Sequence, residues 1–374
     1  MLGLVSLFAD VVYEGGRSVS GAYLYELNSP SLGPVLIGVG EFIGFSLRLI
    51  AGYFATIHQS SGIIWGLVLS GYAMTAISMP MLAFASTWAL AVLLYMLDRI
   101  GKGLRAPARD LIVAEVSEGI GVGKGFGIHE LLDQLGAFAG PLLVAFAIAL
   151  WNYRVAFLLL AIPGAISISL TATTFILYPS LKSLRAKGGA IGFKGLEKSF
   201  WRYVFACGML AVGFMHWAIA SYYLKTRGAL SDYEIGLVYS IAMLVDALIA
   251  VPLGLLFDKW RLRVLIMLPP LSIAFTLMII YAPRELLFFS AIPWGVIMCS
   301  EESIMKASVA LLVEPPKRPL AYGALGLFFG IFWALGGYIY TLLLAQPFYA
   351  VIYSAAINAI SLYMYNSLAG RLKL

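Results

Sequence analysis

The chain has 374 residues, of which 61% are hydrophobic and only 12% are charged. A soluble domain of ordinary composition carries about 25% charged residues, so this composition excludes a soluble fold. The formal net charge of +6 does not point to nucleic acid as a partner, because the basic residues are concentrated in alternate loops between apolar stretches. We therefore expect an integral membrane protein that lies in the lipid bilayer.

Twelve apolar stretches are long enough to be membrane-spanning helices, each of which needs about 20 residues. They cover residues 2–27, 34–56, 62–84, 87–112, 124–149, 154–178, 201–225, 235–256, 263–282, 286–312, 320–344 and 348–369, and are numbered spans 1 to 12 in this order. The predicted fold class is an all-α integral membrane protein. An even number of spans places both termini on one side of the membrane.

Basic residues are distributed unequally between the two sets of loops. The set on the side of the termini contains Lys182, Arg185, Lys187, Lys194, Lys198, Lys259, Arg261, Arg263, Lys317, Arg318, Arg371 and Lys373. The other set contains Arg154, Lys225, Arg227 and Arg284. Because cytoplasmic loops carry the excess of Lys and Arg, this bias predicts a cell-membrane protein with both termini in the cytoplasm.

A long polar interruption, rich in Lys and Gly, divides the spans into six and six. It predicts an N-terminal bundle of residues 1–178, a cytoplasmic linker of residues 179–200 and a C-terminal bundle of residues 201–374. These two bundles would be six-helix pseudo-repeats.

A weak internal repeat agrees with this division. Residues 52–56 after span 2 correspond to residues 254–258 after span 8, and Asp98-Arg99 corresponds to Glu301-Glu302. Two halves related in this way are typical of secondary transporters, whose sites lie near the bilayer midplane between the halves.

Span 4 carries a stripe of charges. Asp98, Lys102, Arg105 and Arg109 recur at i, i+4, i+7 and i+11, which places them on one side of a helix. A charge at bilayer depth costs about 2.5 to 3.5 kcal/mol on insertion scales, so the stripe cannot face lipid. We expect it to line the bundle interior or an aqueous cavity.

Span 1 carries the best candidates for ion coupling. Asp10, Glu14 and Arg17 stand at i, i+4 and i+7, near mid-depth and on one face. A proton, a cationic substrate and Arg17 would compete for the same carboxylates, which would couple their movements. The alternative is a self-neutralised structural network. Glu41 and Arg48 share a face of span 2, and for them a structural and a functional role both remain open.

The start of span 5 superficially resembles a zinc-protease pattern. Its residues 129–133 read His-Glu-Leu-Leu-Asp, but the last ligand is Asp instead of His and no third ligand is evident, so we expect no metal site. Asp133 is predicted to pair with span 4. His129 is interpreted as a capping or packing residue.

The second half is sparser in charge. Asp246 in span 8 has no partner on its own helix, which makes it a functional candidate. Glu302 and Lys306 in span 10 are spaced as an i,i+4 ion pair and are predicted to be structural, which leaves Glu301 available. Aromatic residues of span 7, namely His216-Trp217 and Tyr222-Tyr223, offer a surface for an organic ligand.

Three motifs resemble those of the major facilitator superfamily, and the resemblance extends over the whole chain. Between spans 8 and 9, Gly254, Asp258, Lys259, Arg261 and Arg263 are similar to its loop motif. Arg99 with Gly103 resembles its Arg-x-x-x-Gly motif in span 4. Gly136, Gly140 and Pro141 resemble the Gly-x-x-x-Gly-Pro motif of proton-antiport exporters. Residues 98–110, with Asp-Arg-x-Gly-Lys-Gly-x-Arg and a later Arg-Asp, resemble a prokaryotic subgroup of this family.

The resemblance implies roles for several of these residues. Asp258 with Arg261 would form a cytoplasmic gating lock, but residues 52–61 of the first half lack both the Asp and the basic cluster, so the lock is expected in the second half alone. Arg99 would lie at the cavity and be linked to proton movement. Lys102, Arg105 and Arg109 run towards the cytoplasmic end of span 4, and from this position rather than from the resemblance we expect them to act as an electrostatic lining and as loop anchors.

Together these features predict a secondary transporter that works by alternating access, with proton-coupled export favoured by the motif in span 5. Uptake by symport or uniport of an organic solute or metal cation is the alternative. An intramembrane enzyme or receptor is a remote alternative, because the chain shows no nucleophile–base pair, no metal triad and no loop long enough for a signalling domain. We expect no enzyme activity, no cofactor, a small molecule and protons as partners, and a monomer.

Overall fold

Helices make up almost all of the computed structural model, which describes residues 1–57, 60–117, 122–181, 196–314 and 318–371 and has no β-strand in these ranges. Span 1 consists of Leu2–Ser18 and Ser20–Glu26, span 2 of Leu32–Ile57, and span 3 of Ser61–Met81 with the 3₁₀ turn Leu82–Phe84. Span 4 is Trp88–Val116, span 5 is Val122–Leu150, and span 6 consists of Tyr153–Leu159 and Ala161–Leu177. The all-α prediction is confirmed.

Spans 7 to 12 follow the same plan with more interruptions. Span 7 consists of Lys198–Gly213 and Trp217–Thr226, span 8 of Asp232–Trp260, and span 9 of the 3₁₀ segment Arg261–Met267 and the helix Leu268–Tyr281. Span 10 consists of Arg284–Leu287, Phe288–Ser290, Ala291–Glu302 and Ile304–Leu312. Span 11 is Arg318–Leu343 and span 12 is Pro347–Arg371.

Eight helical stretches of the described chain are long and apolar enough to cross a membrane, and one of them, the 50-residue stretch Asp232–Tyr281, comprises spans 8 and 9. The remaining three are spans 1, 4 and 10, whose charged side chains form much of the site described below.

Some predictions concern residues outside the described ranges. His58 and Gln59 of the first-half loop lie outside them, as do Lys182, Arg185, Lys187, Lys194, Lys317 and Lys373 of the basic loops. Most of the predicted linker, residues 182–195, is also outside, so its boundaries stay a prediction. The end of the bundle at which the linker lies is called the linker end, and the opposite end is called the far end.

The two halves meet along spans 2 and 11, along spans 5 and 8, and where the far-end parts of spans 1 and 7 touch. The second half has one continuous apolar core, whereas the core of the first half is split into two clusters, one at each end of the bundle. The layer between these two clusters holds Glu14, Asp98 and Arg99, which are buried. Charged side chains therefore interrupt the core at the depth where the site lies.

Glycines allow spans 1 and 5 to pack closely. A Cβ atom at Gly136 would overlap the carbonyl oxygen of Leu7, and a Cβ atom at Gly140 would overlap that of Val11. The Gly-x-x-x-Gly part of the motif is thus a helix-contact surface, as small residues are in many membrane proteins. Pro141 follows it within the same helix.

Replacing Gly140 with alanine is expected to destabilise the bundle by about 1 to 3 kcal/mol, the usual cost of overpacking a filled interior. Thermal unfolding of the purified protein in detergent measures the effect as a lower midpoint. Gly66→Ala is the matched control, because a Cβ atom there would meet no atom within 4 Å. Equal midpoints for the two variants would contradict the packing role.

Candidate functional site

Span 1 brings its three predicted residues to one cavity. Asp10, Glu14 and Arg17 all lie in the wall of a cavity of about 870 Å³ between the two halves. The Arg17 guanidinium lies 3.7 Å from the Glu14 carboxylate, and its Nη1 donates a hydrogen bond of 3.0 Å to the Tyr13 hydroxyl. No Lys or Arg nitrogen of the described residues lies within 4.0 Å of the Asp10 carboxylate.

Glu14 also contacts the opposite half. The hydroxyl of Tyr239, in span 8, donates a hydrogen bond to Oε2 of Glu14. Glu14 is 7% exposed and Tyr239 is fully buried. Among the described contacts, this is the hydrogen bond that joins a cavity carboxylate of the first half to a side chain of the second half.

Glu41 connects spans 1, 2 and 4. Its Oε1 lies 3.6 Å from Nη2 of Arg17 and 3.0 Å from Nη1 of Arg99. Arg99 also donates hydrogen bonds to Asp98 and to the Tyr13 hydroxyl. Asp98 is fully buried. The network thus joins the carboxylates Glu14, Glu41 and Asp98 with the guanidiniums of Arg17 and Arg99 and leaves one carboxylate in excess.

Arg99 lies behind the cavity wall rather than in it. Its guanidinium is 3.7 Å from the centre of the Tyr13 ring, and its side chain is 6% exposed. Glu41 and Asp98 hold it inside the first half, because a buried guanidinium requires counter-charges. Asp98, which pairs with Arg99, lies in the bundle interior, one of the two places expected for the stripe.

Replacing Glu41 with glutamine is expected to destabilise the protein by about 3 kcal/mol, because the buried Arg99 loses a charged partner. The midpoint of thermal unfolding in detergent measures this loss. Glu285→Gln, a change of the same kind at an exposed far-end residue, should leave the midpoint unchanged. An unaltered midpoint in Glu41→Gln would show that the network contributes little to stability.

The rest of the span 4 stripe does line the cavity. The Lys102 ammonium lies 4.0 Å from the centre of the Tyr13 ring. Arg105 donates a 2.8 Å hydrogen bond to the Thr75 hydroxyl and stacks over Tyr72. Aromatic rings and hydroxyls thus hold two of these cations in place.

Arg109, nearer the linker end, joins spans 4 and 5. It lies 2.8 Å from Asp110 and 3.7 Å from Asp133. His129 is buried, with its Nε2 3.2 Å from the Ser6 hydroxyl and 3.7 Å from Asp133. Within the described ranges, no group of three or more His, Cys, Asp or Glu side chains is arranged to hold a metal ion.

The predicted pair in span 10 is wrong. Glu302 and Lys306 both line the cavity, but they are not within 4.0 Å of each other. The helix ends at Glu302 and restarts at Ile304, with Ser303 at φ −113° and ψ −80°, so the i,i+4 spacing no longer places the two side chains side by side. Glu301 lines the same wall.

Two residues of span 8 and one of span 2 complete the cavity region. Asp246 is 4% exposed and lines the cavity, and Tyr239 lies seven residues earlier, on the same helix face. This spacing is the signal that could have identified Tyr239 from the sequence. Arg48 lines the cavity with its guanidinium 5.2 Å from the centre of the Phe45 ring.

The loop motif after span 8 lies away from the cavity. Asp258 is exposed, and no ion pair within 4.0 Å joins it to a described residue. Arg261 ends span 8 with φ 50°, a backbone region that favours glycine, and so forms the turn into the next segment. The predicted lock at Asp258 is therefore not formed in this conformation.

The far end of the interface between the halves is closed. Lys225 is 2.6 Å from Glu26, and the Tyr222 hydroxyl donates a 2.7 Å hydrogen bond to the carbonyl oxygen of Ser29. Nε1 of Trp217 donates a 2.6 Å hydrogen bond to the carbonyl oxygen of Ser18. These span 7 aromatics pack between the halves instead of facing a ligand. We call this set of contacts the far-end seal.

The cavity extends towards the linker end. Its wall there includes Tyr53, Asp110 and Tyr322, near the linker-end termini of spans 2, 4 and 11. Phe45 and Phe329 add aromatic surface deeper in the cavity. The arrangement is a charged pocket between two halves that is closed at the far end. This is the geometry of a carrier in one of two states, which differ in the end at which the pocket is open.

Comparison with known proteins agrees with this architecture. A sequence profile of the Major Facilitator Superfamily matches residues 18–228. An uncharacterized protein of Mycobacterium tuberculosis is 33% identical over 349 residues, which cover 90% of this chain and 84% of that protein. An uncharacterized MFS-type transporter of Methanocaldococcus jannaschii is 25% identical over 267 residues, or 69% of this chain and 66% of the relative.

Solved structures share the fold. The nucleoside transporter NupG superposes with a TM-score of 0.73 and 13% identity, covering 100% of this chain and 98% of its own. The peptide transporter POT in complex with sulfate superposes with a TM-score of 0.77 and 14% identity, covering 98% and 92%. At such identities the likeness concerns the fold alone.

Proposed function

Because this chain belongs to the major facilitator superfamily, and is thus a multi-pass membrane transporter and not an enzyme, we propose that it exports a small molecule in exchange for protons. The substrate would occupy the cavity between the halves. Span 1 carboxylates would carry the protons, and rocking of the halves would alternate access between the linker end and the far end.

The contact between Glu14 and Tyr239 is the observation that carries proton coupling. Glu14 is in the cavity wall, so in this conformation it can release to the linker end a proton that it took up at the far end. An ionised carboxylate accepts a stronger hydrogen bond than a neutral one, so the charge on Glu14 favours the contact with Tyr239. A proton on Glu14 weakens the tie between the halves and promotes the opposite state.

Neighbouring charges support this exchange. Arg17 competes with the proton for Glu14, and Glu41 offers Arg17 a second partner when Glu14 becomes neutral. Asp10, one turn towards the linker end, is the relay between Glu14 and the aqueous cavity. Arg99 positions Glu41 from behind, and Asp133 holds Arg109 in the wall.

Export is supported by the resemblance of Gly136, Gly140 and Pro141 to the motif of antiport exporters. The bias of basic loops supports a linker end that faces the cytoplasm of the cell. In that orientation the cavity of this structure is open to the compartment from which an exporter collects its substrate. We expect a monomer to be sufficient, since one chain supplies all the walls of the cavity.

The test is proton flux in proteoliposomes that contain a pH dye and carry a pH gradient, challenged with pools of cationic, anionic, zwitterionic and neutral compounds and divalent metals. We expect one pool to collapse the gradient with the wild type and with Glu285→Gln, and not with Asp10→Asn. The same pool should be accumulated by inverted membrane vesicles that are acidified inside.

Two results would contradict the proposal. Labelled substrate that crosses without any gradient and without moving protons would indicate uniport. A response retained in full by Asp10→Asn, in protein that is folded and inserted, would remove Asp10 from the proton path.

A further inference from the structure

The two walls of the cavity differ in the charges that they leave without an ion pair. On the first half these are the cations Arg48, Lys102 and Arg105 and the carboxylates Asp10 and Glu130, and on the second half they are the carboxylates Asp246, Glu301 and Glu302 and the cation Lys306, so positive charge is in excess on the first wall and negative charge on the second. Four of these charges, Arg48, Lys102, Glu301 and Glu302, border the place where the walls approach each other. None of the four lies within 4.0 Å of an oppositely charged described side chain. The two cations stack on the rings of Phe45 and Tyr13, so aromatic faces rather than carboxylates hold them.

These four charges form two pairs across the interface, and in each pair the positive charge is on the first half and the negative charge is on the second. Electrostatic interaction reaches across the interface between the halves from Arg48 to Glu301 and from Lys102 to Glu302, although Lys306 of span 10 acts more strongly on Glu301, and Glu14 of span 1 acts more strongly on Lys102. All four also border a smaller space of about 40 Å³ that shares most of its lining with the main cavity. They therefore converge on one place. Arg17, Glu41 and Lys306 border it too, which leaves an excess of positive charge on the first half and an excess of negative charge on the second.

We propose that the substrate is a small zwitterion that bridges the halves, with its anionic group on Arg48 and Lys102 and its cationic group on Glu301 and Glu302. This inference rests on the proposed function only in taking the cavity as the transport site. Phe45, Met298 and Phe329 supply apolar surface for the body of the molecule. The cavity volume is in the range that takes ligands of drug size or smaller.

A singly charged ligand fits this site less well. When the halves close over an anion, the carboxylates of span 10 are buried without a counter-charge, and a cation has the same effect on Arg48 and Lys102. A zwitterion neutralises both walls at once. Without a ligand the two walls can pair directly, which allows the carrier to return with its protons after the substrate has left.

The test compares three forms of one molecule with the purified full-length protein in detergent, and reads binding from ligand-dependent thermal stabilisation. The probes are dialanine, its C-terminal amide, which is only a cation, and its N-acetyl derivative, which is only an anion. A panel of free amino acids and other dipeptides, each with the same two blocked forms, extends the series. We expect a zwitterion to bind at least about tenfold more tightly than either of its blocked forms.

Variants make the test specific for this site. Arg48→Gln should remove the preference for the zwitterion over its amide, and Glu301→Gln should remove the preference over the N-acetyl form. The double exchange Arg48→Glu with Glu301→Arg should restore zwitterion binding, because the polarity is reversed but complementarity is kept. Arg154→Gln, at an exposed far-end position, is the matched control and should bind like the wild type.

Several outcomes would overturn the inference. One is that no zwitterion of the panel binds, and another is that a blocked form binds as tightly as its zwitterion. A third is that Arg48→Gln and Glu301→Gln each weaken the binding of all three forms equally. The result is separable from that of the proton-flux assay. A cationic pool that collapses the pH gradient overturns the zwitterion and leaves proton coupling intact. Zwitterion binding without proton flux supports the ligand class and contradicts the proposed coupling.

Discussion

Replacing Gly21 with leucine is expected to reduce transport to the background of empty liposomes by opening the far-end seal. Gly21 lies where span 1 crosses span 7, and a Cβ atom there would overlap the carbonyl oxygen of Ala218 and the hydroxyl of Ser221. Its own N–H donates a 3.2 Å hydrogen bond to that hydroxyl. Overpacking of this kind costs about 1 to 3 kcal/mol, which shifts a two-state equilibrium about fivefold to about 150-fold away from the sealed state.

The opening can be measured directly by chemical cross-linking. Cysteines in place of Glu26 and Lys225, whose charged atoms are 2.6 Å apart in the seal, should be joined readily by a bifunctional thiol reagent as long as the two lost side chains in the parent protein and slowly in Gly21→Leu. Gly66→Leu is the matched control, because a Cβ atom there would meet no atom within 4 Å. Normal cross-linking together with normal transport in Gly21→Leu would show that the contact is not part of the cycle.

Replacing Glu14 with glutamine is expected to abolish substrate-driven proton movement while leaving substrate binding in place. The amide keeps a hydrogen-bond acceptor for Tyr239 but cannot carry a proton. The proteoliposome assay with the pH dye measures the first effect, and ligand-dependent thermal stabilisation measures the second.

Tyr239→Phe separates proton transfer from coupling between the halves. It removes one hydroxyl and keeps the aromatic packing against Trp217 and Trp294. We expect this variant to bind substrate and protons but to transport several-fold more slowly, because protonation of Glu14 no longer changes a bond between the halves. Tyr353→Phe, which removes a hydroxyl bonded to the Val212 carbonyl oxygen within the second half, is the control. Equal rates for the two variants would count against a coupling role for Tyr239.

The architecture follows from sequence because it depends on local properties. Twelve apolar stretches of the right length are sufficient to predict twelve spans, and the spacing of Asp10, Glu14 and Arg17 is sufficient to put them on one face. The cost of charge in lipid then requires that face to point inwards. None of these steps needs knowledge of which helices are neighbours.

The arrangement of the site depends on which helices are neighbours, and the sequence is less informative about contacts between helices. Arg99 lies behind the cavity wall because Glu41 of another helix draws the guanidinium into the first half. The Glu302–Lys306 pair fails because the helix breaks at Ser303, where no Pro or Gly marks the break. Tyr239 was missed because its importance comes from contact with Glu14, 225 positions away.

The most direct test of proton-driven alternation is the distance between spin labels at each end of the bundle as the pH is lowered. Labels at Ser31 and Gln346 report on the far end, and labels at Ser60 and Lys259 report on the linker end, all at exposed positions on opposite halves. The buried free cysteines Cys207 and Cys299 are first replaced with serine or alanine.

From alkaline to mildly acidic pH, the account predicts that the far-end distance lengthens while the linker-end distance shortens, and that Glu14→Gln abolishes both shifts. Distances that do not change with pH in the unaltered carrier, or that still change fully with pH in Glu14→Gln, would contradict the account.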